Sequence, residues 1–320
     1  MNTKNNIGWI GIGRMGEPMV EKILEAGYQV SIWNRTSSKA EVLMRYGAEV
    51  VNHPQELSKK EILFTMVSKG SDLDEILFGQ DGVMTGGDLP SIIVDCSSIG
   101  VEDSMMIRKK LEKRGCKFLA APVSGNAKCV RAGKLSTVVS GPESAFHVVS
   151  KIIESYSKRG VSFVGEGELA RFCKIAHNVL LAVVTQNLAE ITILAEKGGI
   201  SRKAFLSFIN NSVMGSIFSR YKTPAFVNLD WTTTFTPELL RKDVDLGLSA
   251  ARELNVSMPI TAATREALQT HFGLAQSKDD PENYLAQDFS ALLETVASQS
   301  GINLESENAE VSSGLEENSK

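Results

Sequence analysis

Residues 7–16 read IGWIGIGRMG and run on into EPMVEKILEA. An apolar run, a glycine-rich turn and a helical stretch follow one another, with Gly11, Gly13 and Gly16 at the G-x-G-x-x-G spacing. Each glycine has a physical use in such a turn. Gly11 permits the sharp change of direction, Gly13 lets backbone approach a pyrophosphate, and Gly16 lets the helix pack close, with its first amides facing the phosphates. The spacing alone also occurs in purely structural turns, so its context decides. Residues 28–33 (YQVSIW) supply a second alternating strand, completing the unit of about thirty residues that a nucleotide-binding βαβ module needs.

At the end of that second strand, where a carboxylate would hold a ribose 2′-hydroxyl, the chain reads Asn34-Arg35-Thr36. A carboxylate repels a 2′-phosphate, whereas a guanidinium and a hydroxyl bind it. A charge-assisted hydrogen bond contributes roughly 1.5–3 kcal/mol. NADP, and NADPH in particular, is therefore the expected cofactor, with NAD possible if Arg35 merely stacks on the adenine. The expected cofactor-binding set is Gly11, Gly13, Arg14, Met15, Gly16, Asn34, Arg35 and Thr36, extended by Met66 and Val67 at the end of the apolar run 62–66.

Apolar runs at 48–51, 62–66, 92–95, 118–121, 136–139 and 162–164 alternate with helical stretches, the pattern of a parallel α/β sheet. After Gly165 the period becomes helical as far as about residue 300, with Gly198-Gly199 ending one long helix and Ser201 capping the next. The expected organisation is an α/β domain at 1–164 with a mostly parallel, doubly wound sheet, then an all-α domain at 165–302 that begins with a long connecting helix. An acidic tail at 303–320 has no usable hydrophobic period and is expected to be disordered, so that its removal leaves activity intact.

Residues 165–178 read GEGELARFCKIAHN. Lys174 and Asn178 stand four apart, so on a helix they share a face. An ammonium and a carboxamide there can handle one oxygen atom, Lys174 as general acid or base and Asn178 fixing the oxygen's position. The plain alternative is a lysine whose stem lies along a buried helix and an asparagine bonded to neighbouring backbone. The pair falls near the domain junction, and clefts between domains favour substrates. Ser124-Gly125-Asn126 leaves an apolar run with a hydroxyl and consecutive amides suited to a carboxylate. Ser98 follows Asp95 at the end of another strand, where such sheets face ligands. Phe235, Leu239 and Lys242-Asp243 recur at helical spacing.

The chain has 320 residues, 42% of them hydrophobic, and a net charge of −4 at pH 7. Five glutamates against one lysine in the tail account for that charge, leaving 33 basic and 33 acidic residues in the body. No basic field is present to attract nucleic acid or an anionic membrane. Residues 175–189 are apolar but too short and too often interrupted by polar groups to span a bilayer. Cys96, Cys116, Cys129 and Cys173 lack paired spacing and are expected reduced and buried; His53, His147, His177 and His271 lack metal-site spacing. His177 alone could border the pocket of Lys174. The opening residues suit the nucleotide turn better than a signal peptide, so a cytoplasmic location is expected.

Six segments, GWIGIGRMGEPM, WNRT, DCSSI, APVSGN with AGKL, GEGELARFCKIAHN and FTPELLRKDVDLGL, occur in the order seen in the β-hydroxyacid dehydrogenases. From Ile7 to about Ser300 the chain resembles 3-hydroxyisobutyrate dehydrogenases and tartronate semialdehyde reductases. The resemblance implies an N-terminal Rossmann domain, a helical C-terminal domain like that of 6-phosphogluconate dehydrogenase, and a homodimer or homotetramer built through the helical part. It implies that Lys174 is the catalytic lysine and Asn178 its substrate-orienting partner. Ser124, Gly125 and Asn126 fall on the loop for the substrate carboxylate, Ser98 on a cofactor and substrate contact, and Phe235 and Lys242 on positions that close over the active site. The implied reaction interconverts a small, anionic 3-hydroxy acid and its semialdehyde or oxo acid. The departures are Ala120 for the family's acid, Asn126 for its second loop glycine and His177 for the first of two asparagines, so no particular acid is implied. Imine reductases share the architecture but generally carry another residue at the position of Lys174. A non-catalytic NADP-binding interaction protein is the other alternative, and the retained Lys174 and Asn178 argue against it.

Overall fold

The computed structural model describes residues 6–316. It divides after Lys174 into two compact units. The first contains β1 (Ile7–Ile10), α1 (Gly16–Glu25), β2 (Val30–Trp33), α2 (Ser37–Glu41), β3 (Glu49–Val50), β4 (Ile62–Thr65), α3 (Gly70–Phe78), β5 (Ile92–Asp95), α4 (Val101–Glu112) and β6 (Lys117–Ala120). The strands form one parallel sheet in the order β3-β2-β1-β4-β5-β6. The chain builds outward from β1, then crosses over to build outward on the other side from β4. Adjacent loops at the carboxyl ends of β1 and β4 therefore part in opposite directions, the place where such sheets admit ligands.

Strands buried on both faces explain the unbroken apolar runs: every residue of β1, β4 and β5 is buried, as covered parallel sheets require. Neighbouring residues of β1 serve opposite faces. Ile10 joins a core with Leu63, Leu73, Leu77, Ile93, Ile107, Leu111 and Phe118. Trp9 stacks on Phe64 at 5.5 Å between ring centroids, and Tyr156 meets both edge-on.

Beyond β6 the chain leaves this sheet. β7 (Val123–Ser124), α5 (Ala127–Arg131), β8 (Ser136–Val139), α6 (Glu143–Tyr156) and β9 (Gly160–Phe163) follow. β7, β8 and β9 form a second, three-stranded sheet in which β7 runs antiparallel to β8. The sequence pattern suggests a single continued sheet. Pro122 has no amide hydrogen to extend the ladder, and the chain reverses after Ser124 at Gly125, whose φ is +129°.

α7 (Leu169–Lys197) begins in the first unit and continues through the boundary. By length and composition it could cross a membrane. Its Asn178, Thr185, Gln186 and Thr192 are buried beside Val179, Ala182, Ala189 and Ile193, the mixed face of a helix packed in a protein core. The second unit adds α8 (Arg202–Asn211), α9 (Ile217–Asn228), α10 (Pro237–Glu253), α11 (Pro259–Ala275), α12 (Pro281–Ala286) and α13 (Leu292–Gln299). α10 crosses α7 so closely that a Cβ on Gly247 would stand 2.2 Å from Val179.

The tail departs from its expected disorder. Residues 302–316 form neither helix nor strand, yet Ile302, Leu304 and Val311 pack against the core of Ile193, Leu206 and Leu293, and Leu315 is buried. Its acidity is put to use. The Glu307 carboxylate accepts the amides of Arg202 (2.6 Å) and Lys203 (3.1 Å) in the open first turn of α8, satisfying donors that the helix cannot. Arg202, itself buried, donates to the Glu305 carbonyl. Asn228 brackets Ala309 through both of its backbone groups at 2.9 Å. A strap pinned at separate points needs no period, which is why its apolar residues carry no helical or strand signal. Residues 317–320, the rest of the predicted tail, lie outside the described residues.

Truncation after Ile302 uncovers that core and strips partners from Arg202. It is expected to cost about 2–5 kcal/mol of stability, read as a lowered urea or thermal midpoint. An unchanged midpoint would make the tail the passive appendage that its charge suggests.

Candidate functional site

The three glycines of the first turn divide by what surrounds them. Gly11 has φ +100°, and a Cβ there would lie 2.1 Å from the Met66 carbonyl oxygen. A Cβ on Gly16 would lie 1.9 Å from the Gly11 carbonyl oxygen. Both are glycine because the chain packs on itself. Gly13 is different: it has no heavy atom within 4 Å of its Cβ position, and it leaves open the space a Cβ would occupy, directly before α1. That opening fits a cofactor pyrophosphate approaching the backbone, with Arg14 exposed and Met15 half-buried beside it.

Asn34 braces this turn. Its Oδ1 accepts the Ile12 amide at 2.8 Å and its Nδ2 donates to the Thr36 carbonyl at 2.8 Å. The carboxamide thus joins the end of β1 to the end of β2, and Arg35 and Thr36 extend from it exposed. Met66 N bonds the Ile10 carbonyl at 2.9 Å, and Val67 N donates to Ser97 Oγ at 2.8 Å. Ser98, next in the chain, is exposed.

Below this edge lies a polar cluster that the sequence motifs leave unseen. Asp95, fully buried at the end of β5, accepts Thr65 Oγ1 (2.7 Å) and Ser97 Oγ (2.6 Å) on one oxygen and pairs with the Arg171 guanidinium on the other. Arg171 also donates to the Ser97 carbonyl and, at 3.2 Å, to Ser104 Oγ. Ser104 donates to Glu168, and Glu168 receives Arg108 Nε at 2.5 Å. Ala170 N donates to Ser140 Oγ at 2.9 Å. These bonds fasten the start of α7 to the carboxyl edge of the large sheet. Lys174, one turn further along α7, is half-buried. Cys173, expected to pack, is exposed, whereas Cys96, Cys116 and Cys129 are buried, as expected.

On the predicted substrate loop, Ala120 is buried in β6 and Ser124 is half-buried in β7. A Cβ on Gly125 would meet Cys129 at 2.8 Å, besides straining its positive φ. Asn126 caps α5, its Oδ1 accepting Cys129 N at 3.1 Å, so the carboxamide oxygen that departs from the family pattern is engaged within the loop.

In the helical unit Asn178 is buried; its Nδ2 donates to Asp243 Oδ2 at 2.6 Å, and its Oδ1 stands 2.9 Å from His177 Nδ1. Four residues along one helix, it lies on the side of α7 that Lys174 takes. Lys242 is exposed, its ammonium 3.7 Å from the other Asp243 oxygen. The segment before α10 is set by buried Asp288, which pairs with Lys222 and accepts Thr234 N (2.9 Å) and Phe235 N (3.3 Å). Lys222 holds the Asp288 carboxyl below its ordinary pKa against the opposing effect of burial. The Phe235 ring meets Phe289 edge-on at 5.9 Å. His271, buried in the helical unit, is kept neutral by burial, its pKa down to about 4, whereas His177 is exposed. No group of metal-ligating residues is present among the described residues.

Residues 6–165 match the family model for the NAD-binding domain of 6-phosphogluconate dehydrogenase, and residues 168–294 that for the NAD-binding region of NADP-dependent 3-hydroxyisobutyrate dehydrogenase. An uncharacterized oxidoreductase of Bacillus subtilis, YfjR, is 30% identical over 83% of the chain and 92% of its own length. Glyoxylate/succinic semialdehyde reductase 2 of Arabidopsis thaliana is 26% identical over 91% of the chain and 79% of its own length. The solved 3-hydroxyisobutyrate dehydrogenase of Salmonella typhimurium shares the fold at a TM-score of 0.77, with 22% identity over 90% of this chain and 98% of that one.

The open space at Gly13 separates a ligand role from a packing role. Gly13→Ala is expected to fold with an unchanged thermal midpoint while weakening NADPH binding, followed by fluorescence titration, about tenfold or more. Unaltered binding would leave Gly13 an ordinary turn residue.

Proposed function

This chain belongs to the 3-hydroxyisobutyrate dehydrogenase-like family of β-hydroxyacid dehydrogenases, and on that premise we propose that it interconverts a small 3-hydroxy acid and its semialdehyde or oxo acid with NADP(H), using Lys174 as general acid and base. Among its relatives, the glyoxylate/succinic semialdehyde reductase is named for aldehydes that carry a carboxylate. One observation carries the reading. The open cradle at Gly13 and the start of the helix bearing Lys174 belong to the same carboxyl edge of one parallel sheet.

The nicotinamide, when bound, supplies or takes up the hydride. The protein's part is to hold the substrate and move one proton. Lys174 Nζ takes the proton of the substrate hydroxyl in oxidation and returns it to the oxygen in reduction. Asn178, its carboxamide turned by Asp243, orients that oxygen. Ser98, the Ser124 hydroxyl and the amides at Gly125 and Asn126 receive the carboxylate. Arg35 and Thr36 receive a ribose 2′-phosphate and so favour NADPH, while NAD remains usable. Phe235 and Lys242 close over the bound ligands. We also read the chain as a homodimer or homotetramer built through its helical unit, a reading supported by exposed Leu180, Val184 and Leu194 along α7.

The test is the initial rate of NADPH oxidation with a panel of carboxylate aldehydes, beginning with glyoxylate and succinic semialdehyde. Lys174→Ala is expected to lose about 10²- to 10⁴-fold in turnover while still binding NADPH; near-normal turnover excludes the assigned role. Reduction of cyclic imines with silence on every aldehyde acid would turn the reading to an imine reductase, a class that also has this fold.

Arg35→Asp is expected to reverse the cofactor preference toward NADH, by about tenfold or more in the ratio of kcat/KM values. An unchanged ratio removes Arg35 from the discrimination.

A further inference from the structure

Arg171 is 2% exposed, and nothing in the proton transfer calls for a buried guanidinium there. Its three nitrogens are matched to three different partners: Nη2 to the Asp95 carboxylate at the end of β5, Nη1 to the Ser97 carbonyl, and Nε to Ser104 Oγ on α4. The Ser97 carbonyl belongs to the peptide that leads into Ser98, and the Ser97 hydroxyl in turn holds the Val67 amide. One side chain of α7 therefore grips the loop of Ser98 directly and that of Met66-Val67 through Ser97. Lys174 follows Arg171 by three residues, displaced about 60° around α7 and about 4.5 Å along it.

An apolar residue at this place would hold α7 against the sheet, because apolar packing resists separation but is indifferent to small rotations. A planar fork with three fixed acceptors resists rotation and sliding as well. The neighbouring turn adds a second point of fixation: Glu168 receives Arg108 and Ser104, and Arg108 continues to the Phe118 and Gly167 carbonyls at 2.5 and 2.7 Å. With fixed points at Glu168 and, three residues on, at Arg171, the direction in which Lys174 leaves α7 is set relative to Ser98.

We propose that Arg171, held by Asp95, is a positioning residue for the reaction: it sets the rotation of α7 so that Lys174 and the Ser98 loop address the same substrate. The inference rests on the reading of Lys174 as the general acid and base. Arg171 touches neither substrate nor cofactor, and its effect passes through Lys174.

The experiment is a double-mutant cycle on the full-length protein. Arg171→Lys keeps the charge and loses the fork; Asp95→Asn, run in parallel, keeps the shape of the acceptor and loses its charge. Each is made alone and with Lys174→Ala. The single-turnover rate of NADPH oxidation is measured with the aldehyde acid that the wild-type protein reduces best, per site counted by NADPH titration, so that unfolded protein does not enter the rate. Arg171→Lys and Asp95→Asn are each expected to slow the step on the order of 10- to 100-fold, with NADPH affinity and KM within about threefold of wild type. Neither is expected to slow the Lys174→Ala protein further, because the group they position is gone. A merely structural role leaves the rate per NADPH-binding site undiminished, or lowers it by the same factor in both backgrounds; either result overturns the proposal. Wild-type turnover in Lys174→Ala, or a wild-type protein silent on every aldehyde acid, overturns the functional reading and this inference together. An intact Lys174 dependence with no Arg171 effect overturns this inference alone.

Discussion

A carboxylate with no access to water stands at the end of β5, and it organises the nucleotide-binding unit. Removing an ionised Asp95 from solvent is costly unless several donors replace the water it loses. Thr65, Ser97 and Arg171 supply them from the end of β4, the loop after β5 and the first turns of α7. These are the places where the proposed site needs fixed geometry. Since each donor is needed to balance one buried charge, the loops cannot drift apart independently. The same logic recurs in the helical unit, where Asp243 turns the Asn178 carboxamide and buried Asp288 gathers Lys222, Thr234 and the amide of Phe235. In the helical unit each of these acidic side chains contacts no ligand in the proposed reading and fixes a residue that does.

What the sequence disclosed was local. The glycine turn, the strand at 92–95 and the strand at 136–139 could be read because their signals lie within a few residues: a spacing of glycines, or a run of apolar side chains between polar turns. The pairing of Lys174 with Asn178 on one helix face could be read for the same reason. The Asp95–Arg171 pair could not. Its members are 76 residues apart, and nothing near Arg171 distinguishes it from a solvated arginine on a helix. The second sheet failed on the same ground, since the antiparallel pairing of β7 with β8 depends on a reversal at Gly125 and on partners well separated in the chain. β8 and β9 could be located, while β7 and the sheet that joins the three could not.

The tail shows a different kind of failure. Charge and the lack of a period are sound grounds for expecting disorder, because both oppose the burial of a continuous face. They do not oppose a strap that buries isolated side chains and uses its carboxylates on helix amides. Glu307 on the first turn of α8 and Asn228 around Ala309 replace the ladder of a strand with separate anchor points. Composition counts the glutamates but cannot say that one of them meets a helix end.

Specificity, on the proposed reading, turns on the loop of Ser124, Gly125 and Asn126. Asn126 departs from the family pattern, and on sequence alone its carboxamide looks like an added ligand group. Its oxygen instead caps α5, and Ala120, the other departure on this loop, is buried and has no polar side-chain atom. Neither change brings a new charge to the loop. On that reading Ser124, Gly125 and Asn126 offer an anion only neutral groups, a serine hydroxyl and backbone amides, placed by a glycine whose conformation and contact with Cys129 leave no room for a side chain. Neutral donors in fixed positions select by distance and shape more than by charge. On the proposed reading, the carboxylate of the substrate must then lie a set number of bonds from the carbon that Lys174 serves, and chain length becomes the property by which this enzyme distinguishes one hydroxy acid from another.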